Sequence, residues 1–213
     1  MPKKVLIIED NAVEAKHAQE ELAKAGIKYS KAVSTLSEGL EAMPNYDALL
    51  SDLFFPAGSV STEQYVKKFL PLYEQFAQRI IGAEATVLRA VKQVATTFGM
   101  TPRDYVDKVM SHLKPEFIYH EAKEAIENQE RYERFLKTVD DIKNGKNLPL
   151  GIIATERATQ LGLPSAIVTS INHHDYAFES VRDQVKVPYR DTLVNNKKDW
   201  KGGIELLSER SYR

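Results

Sequence analysis

The feature that most constrains the fold is an alternation packed into the first fifty residues. Val5, Leu6, Ile7 and Ile8 form a short, β-branched-rich apolar run that breaks at Glu9, Asp10 and Asn11, the pattern of a buried parallel strand ending in a polar loop. Helical spacing follows at once. Ala15, Ala18, Leu22 and Ala25 recur every three or four residues, and Gly26 supplies a stop. A second strand fits Tyr29 to Val33, and Thr35 with Glu38 makes a capping-box pattern that opens a helix through Met43. Tyr46 to Leu50 then repeats the design of the first strand and again runs into an acid, Asp52. Strand, helix, strand, helix, strand in so short a span calls for right-handed crossovers and a parallel sheet covered on both faces.

After Pro56 the alternation stops. From Ser61 to Lys143 the apolar residues keep helical spacing, so residues 57–147 read as an all-α helical insertion within an α/β domain made of residues 1–56 and 148–213. Tyr65, Phe69, Leu72, Phe76 and Ile80 form one stripe behind a Ser61/Gln64 capping pattern, and Val87, Val91, Val94 and Phe98 form another, closed by Gly99. Thr101-Pro102 opens the next helix with a cap and a proline at its first position. Pro115 to Lys143 has near-heptad spacing and fits one helix of about 40 Å that projects or forms an antiparallel hairpin. Asn144-Gly145 marks a turn, after which Leu150 to Leu161 reads as a helix stopped by Gly162. Ala166 to Val168, ending in Thr169-Ser170, fits a fourth strand, Asp191 to Val194 a fifth, and Trp200 to Leu207 a last helix with Ile204 and Leu207 turned inward.

In an open parallel sheet, polar residues at the carboxyl ends of strands converge in one crevice. Glu9, Asp10, Asp52 and Thr169 all occupy such positions. Crowded carboxylates repel one another, so such a cluster persists by holding a cation; Mg2+ is the natural guess for an all-oxygen ligand set, with Mn2+ as the alternative. A carboxylate beside that ion can take a phosphoryl group, and the Thr169 hydroxyl can hydrogen-bond the product. Composition narrows the alternatives. The net charge is -1, which gives no global case for nucleic acid or an anionic membrane. The chain has no cysteine, which removes thiolate chemistry. No apolar run has the length of a signal peptide or a membrane span, so a soluble, cytoplasmic protein is expected.

These residues carry a family resemblance. Val5 to Asn11 resembles the first strand and acidic pair of response-regulator receiver domains, and Tyr46 to Pro56 resembles the strand bearing the phosphoacceptor, with a proline four residues beyond the aspartate. Pro164 to Ser170 resembles the fourth strand, ending in the switch threonine or serine followed by a small residue. The resemblance covers roughly Lys3 to Pro56 and Leu148 to Leu207. It implies a flavodoxin-like, doubly wound, five-stranded parallel sheet. It also implies Asp52 as phosphoacceptor, Glu9, Asp10 and Asp52 as metal ligands and Thr169 as switch hydroxyl. Two departures stand out. The family's lysine-proline after the fifth strand is replaced by Asn195-Asn196, leaving Lys197, Lys198 or Lys186 as the phosphate contact, with Lys197 preferred. The helical insertion falls where the family has one short helix.

The resemblance makes the expected function two-component signalling, with a histidine kinase or a small phosphodonor as source of phosphate. No DNA-binding output domain follows the last helix, so output passes through the insertion, to a protein partner or to a second copy of the chain. Such a protein is a phosphoprotein and not a conventional enzyme. Two alternatives stay open: a phosphorylation-independent pseudo-receiver acting as an interaction scaffold, and a cation-dependent phosphatase or hydrolase using the same acids with His173 or His174. Acidic residues after a strand can also be plain solvated loop residues. His112, His120, Glu121 and Glu124 read as surface, since no Glu-x-x-His pair repeats there.

Overall fold

The central strands of the sheet are short runs, mostly apolar, that bury both faces. The computed structural model describes residues 2–81, 85–112, 116–171 and 175–209. Its first elements are β1 (Lys4–Ile8), α1 (Ala12–Lys24), β2 (Tyr29–Val33), α2 (Leu36–Ala42) and β3 (Ala48–Ser51). Asn11 caps α1 through its side-chain oxygen, which accepts from the Val13 and Glu14 amides, and Thr35 caps α2 by accepting from Glu38. These caps start both helices where the sequence signals them.

After β3 come α3 (Glu63–Ile81), α4 (Ala85–Thr97), α5 (Pro102–Lys108) and α6 (Glu116–Lys143). Thr101 caps α5 and Pro102 occupies its first turn, as the sequence predicts. Residues 116–143 form one continuous helix, as the spacing predicts. Then come α7 (Leu150–Gln160), β4 (Ser165–Val168), the single turn α8 (Tyr176–Glu179), β5 (Tyr189–Arg190), β6 (Leu193–Val194), β7 (Lys197–Lys198) and α9 (Trp200–Glu209).

The sheet is all-parallel with strand order β2-β1-β3-β4-β5, an order compatible with a flavodoxin-like fold. On one face Val5, Ile7, Ala48, Leu50, Ala166 and Val168 pack with α1 and α9 into a buried core. α2 and α7 cover the other face. Two glycines permit these close approaches. A Cβ on Gly39 of α2 would stand 2.4 Å from Ile8 Cδ1, and one on Gly203 of α9 would stand 2.4 Å from Val168 Cγ2, so the helices seat on the strands because these positions lack side chains.

The fifth strand differs from the sequence expectation. Tyr189–Arg190 pairs with β4, whereas Leu193–Val194 pairs antiparallel with Lys197–Lys198. Pro188 lacks a backbone N–H, yet it can precede a short edge strand and its carbonyl accepts from Ile167. Asn195 and Asn196 both have positive φ, 53° and 61°, the backbone of a two-residue hairpin turn and one that asparagine tolerates.

The chain divides into two compact units, Met1–Leu72 with Asp141–Arg213, and Tyr73–Asp140. The first contains the sheet. The second is helical and has its own core, in which Leu88, Val91, Val106 and Met110 meet Ala122, Ala125 and Ile126 of α6. Tyr73 and Phe76 of α3 contact the ring of Phe135 in the same unit, at centroid distances of 5.8 and 5.6 Å.

Candidate functional site

The carboxyl ends of β1, β3 and β4 bring the predicted polar residues together. Each strand's hydrogen-bond ladder runs one residue past its end: Glu9 N–H donates to Val33 O, Asp52 N–H to Ile8 O and Thr169 N–H to Arg190 O, at 2.9, 2.9 and 2.8 Å. The backbone thus fixes the root of each functional side chain. Glu9 and Asp52 are buried, at 3% and 8% exposure, and Thr169 is buried with them. Asp10 is exposed. One carboxylate oxygen from each of Glu9, Asp10 and Asp52 lies within 4.8 Å of the other two. Three hard oxygen donors so placed can hold a metal ion.

The fourth partner is a lysine. Lys198 Nζ stands 2.5 Å from Glu9 Oε2 and 2.9 Å from Asp52 Oδ2, and the side chain is 6% exposed. The preferred sequence candidate, Lys197, is exposed instead. Lys186 is also exposed and donates to the Asp183 carbonyl. The physical reason is the hairpin: adjacent residues on a strand point to opposite faces, so β7 turns Lys198 inward and Lys197 to solvent.

The remaining lone pairs are used locally. Glu9 Oε1 accepts from the Asn11 amide at 3.0 Å, and Asp52 Oδ1 accepts from the Leu53 amide at 2.7 Å. The Thr169 hydroxyl, which accepts from the Ile171 amide at 3.3 Å, also favours the ionised Asp52 carboxylate. Burial, reinforced by the negative charge of Asp52, pushes the Glu9 carboxyl up to about 7, with Lys198 pulling against it. Burial likewise raises Asp52, opposed by Lys198, the Leu53 amide and Thr169. For Lys198, burial disfavours the ammonium, but the charges of Asp52 and Glu9 outweigh it and hold the group above its ordinary value. The cluster is therefore a cation site in which the chain already supplies one cation.

Beside it lies a cleft of about 620 Å³, lined by Asp10, Phe54, Phe55 and Pro56 on one side and by residues 145–148 and Leu150 on the other. Phe55 is buried and Phe54 half-buried. α7 closes on Asp52 from behind: Gly151 N–H donates to Leu53 O at 3.0 Å, and a Cβ on Gly151 would stand 2.1 Å from Asp52 O. Gly26, Gly99 and Gly162 read as helix stops in the sequence, whereas the role of Gly151 is marked there only by a glycine in the first turn of an otherwise regular helix. His173 and His174 lie outside the described residues. Among the described residues no helix is long and apolar enough to cross a membrane.

Comparison with known proteins adds no relative: no protein-family model matches the chain, and no curated protein or solved structure matches it significantly.

Proposed function

We propose that this chain is a receiver-type phosphoacceptor, a flavodoxin-like domain with a helical insertion between its third and fourth strands, in which Asp52 accepts a phosphoryl group. The observation that carries the reading is the set of partners around one carboxylate. Asp52 meets a cation, Lys198, and a hydroxyl, Thr169, and shares its space with two further acids from the end of β1. The all-carboxylate donor set suits Mg2+ or Mn2+, held by Glu9, Asp10 and Asp52. When bound, such an ion neutralises charge on the phosphoryl oxygens.

An Asp52 oxygen attacks phosphorus and forms a P–O bond. The P–N bond of a phosphohistidine, or the P–O bond of a small acyl phosphate, breaks, and the leaving group departs with the electron pair. Lys198 and Thr169 donate to the phosphoryl oxygens. Water later cleaves the acyl phosphate, returning the Asp52 carboxylate and inorganic phosphate. The output runs through the helical insertion to a protein partner or a second copy of the chain.

One observation favours a second reading. Lys198 bonds both Glu9 and Asp52, so a cation from the chain itself already offsets part of the cluster's charge without a metal, as a pseudo-receiver that binds a partner and never takes phosphate would need. Incubation with Mg2+ and either a small acyl phosphate or beryllofluoride separates the two. Receiver chemistry gives a phosphoryl mass increment and a raised melting temperature in the wild type, both lost in Asp52→Asn. A wild type that responds to neither reagent leaves the pseudo-receiver.

A further inference from the structure

The chain's only tryptophan lies two residues beyond Lys198, is fully buried, and belongs to the core between α1 and α9. Its burial needs no further explanation. Its polar edge and its face do. The indole Nε1 donates to Glu14 Oε2 at 2.9 Å, and the Lys198 ammonium sits over the ring, 5.8 Å from its centroid. Glu14 belongs to the first turn of α1 and also lies 3.7 Å from His17 Nδ1. A leucine would fill the same core without either relationship, and a phenylalanine without the hydrogen bond to Glu14.

The hairpin gives these contacts a purpose. In a sheet strand, neighbouring strands hold each residue in register. Lys198 instead arrives on a two-residue strand whose hairpin is otherwise exposed, with Leu193 and Val194 at 50% and 53%. Little else in that hairpin is tied down by burial, and a lysine side chain has four rotatable bonds to order. An aromatic face attracts a cation through its quadrupole, and the attraction grows when the cation is shielded from water.

We propose that Trp200 is a positioning residue for the acidic site: its ring face holds the Lys198 ammonium between Glu9 and Asp52, and its indole N–H, anchored on Glu14, fixes the orientation of that face. The device rests on the phosphoacceptor reading only for its consequence, which is that Lys198 is in place before any phosphoryl group arrives. The sequence signal is an aromatic residue two positions after a lysine at the start of a helix.

Reductive methylation of the intact folded chain, followed by mass spectrometry, measures how often the Lys198 ammonium leaves the pocket. Wild-type Lys198 is expected to react far more slowly than Lys197. In Trp200→Leu its rate rises about 3- to 30-fold, the range of a partly shielded cation–π contact, while the Lys197 rate stays constant. Trp200→Phe, which keeps a ring face, falls between wild type and Trp200→Leu. Rates are compared under conditions of matched global stability, so that general loosening is cancelled. Equal Lys198 rates in wild type and Trp200→Leu, or equal rates in the phenylalanine and leucine variants, overturn the proposal. If Trp200→Leu does not fold, the wild type decides by NMR: the Lys198 ε-methylene protons are expected upfield of the free-lysine position through the indole ring current, and an unshifted signal overturns it. Neither measurement uses metal or phosphodonor, so failure here is distinct from failure of the loading test.

Discussion

Lys198 and Asp52 are 146 positions apart in sequence, yet Lys198 Nζ lies 2.9 Å from Asp52 Oδ2, and the same nitrogen also bonds Glu9 from the opposite end of the chain. One buried ammonium thus pairs with two buried carboxylates. Its removal strands both acids, because a charge in a low-dielectric site without a partner is costly.

Lys198→Met is therefore expected to destabilise the chain by roughly 3–5 kcal/mol near neutral pH, and by less in acid, where the stranded carboxyls take up protons. Lys197→Met, an exposed change, is expected to stay within about 0.5 kcal/mol of wild type. Urea melts at pH 5 and pH 8 check both, and equal losses for the two variants would contradict the assignment of Lys198.

Stability should also carry a pH signature from Glu9. Its carboxyl sits at about 7 in the folded chain against 4.5 ordinarily, so between those values the folded state binds more protons than the unfolded state. The associated stability is fully present below pH 4.5 and is lost as pH rises through about 7. Glu9→Gln has no such group and is expected to flatten this part of the curve. Cation binding needs the ionised carboxylate, so apparent Mg2+ affinity should rise toward pH 7 and level off above it. Calorimetric titration at several pH values tests this, and a pH-independent affinity would remove Glu9 from the ligand set.

Gly151→Ala places a methyl group where Asp52 O stands 2.1 Å away. Backbone cannot swing aside as a long side chain can, so α7 must shift off the Asp52–Leu53 turn. A loss of about 1–3 kcal/mol is expected from the overpacking, together with weaker response to beryllofluoride. An alanine variant as stable and as responsive as wild type would show that α7 does not seat Asp52.

Thr169→Val preserves shape but removes a hydroxyl that favours the ionised Asp52 carboxylate and accepts from the Ile171 amide. The expected cost is about 1 kcal/mol, with a further rise of the Asp52 carboxyl and slower phosphoryl uptake measured by intact mass. Thr169→Ser keeps the hydroxyl and should restore uptake; equal rates in the two variants would dissociate Thr169 from the chemistry.

Much of the frame was legible because it is local. Val5 to Ile8 and Ala48 to Ser51 are apolar runs long enough only for buried strands, Asn11, Thr35 and Thr101 are caps that act within three residues, and Gly26, Gly99 and Gly162 have the positive φ of helix stops. Each strand ends in a polar residue, so a parallel sheet gathers Glu9, Asp10, Asp52 and Thr169 at one edge once it forms. Composition and periodicity need no long-range information to reach that point.

The cation was decided elsewhere. Lys186, Lys197 and Lys198 are chemically alike in sequence, and the choice among them follows from a hairpin turn at Asn195-Asn196 and from the alternation of side chains on a two-residue strand. Tyr189–Arg190 displaced Asp191 to Val194 as the fifth strand because pairing with β4, and not local propensity, selects an edge strand that short. The sequence alone determined which acids meet, since strand ends in a parallel sheet share one side. Only tertiary structure determined which base pairs with them, since that depends on contacts between residues at opposite ends of the chain.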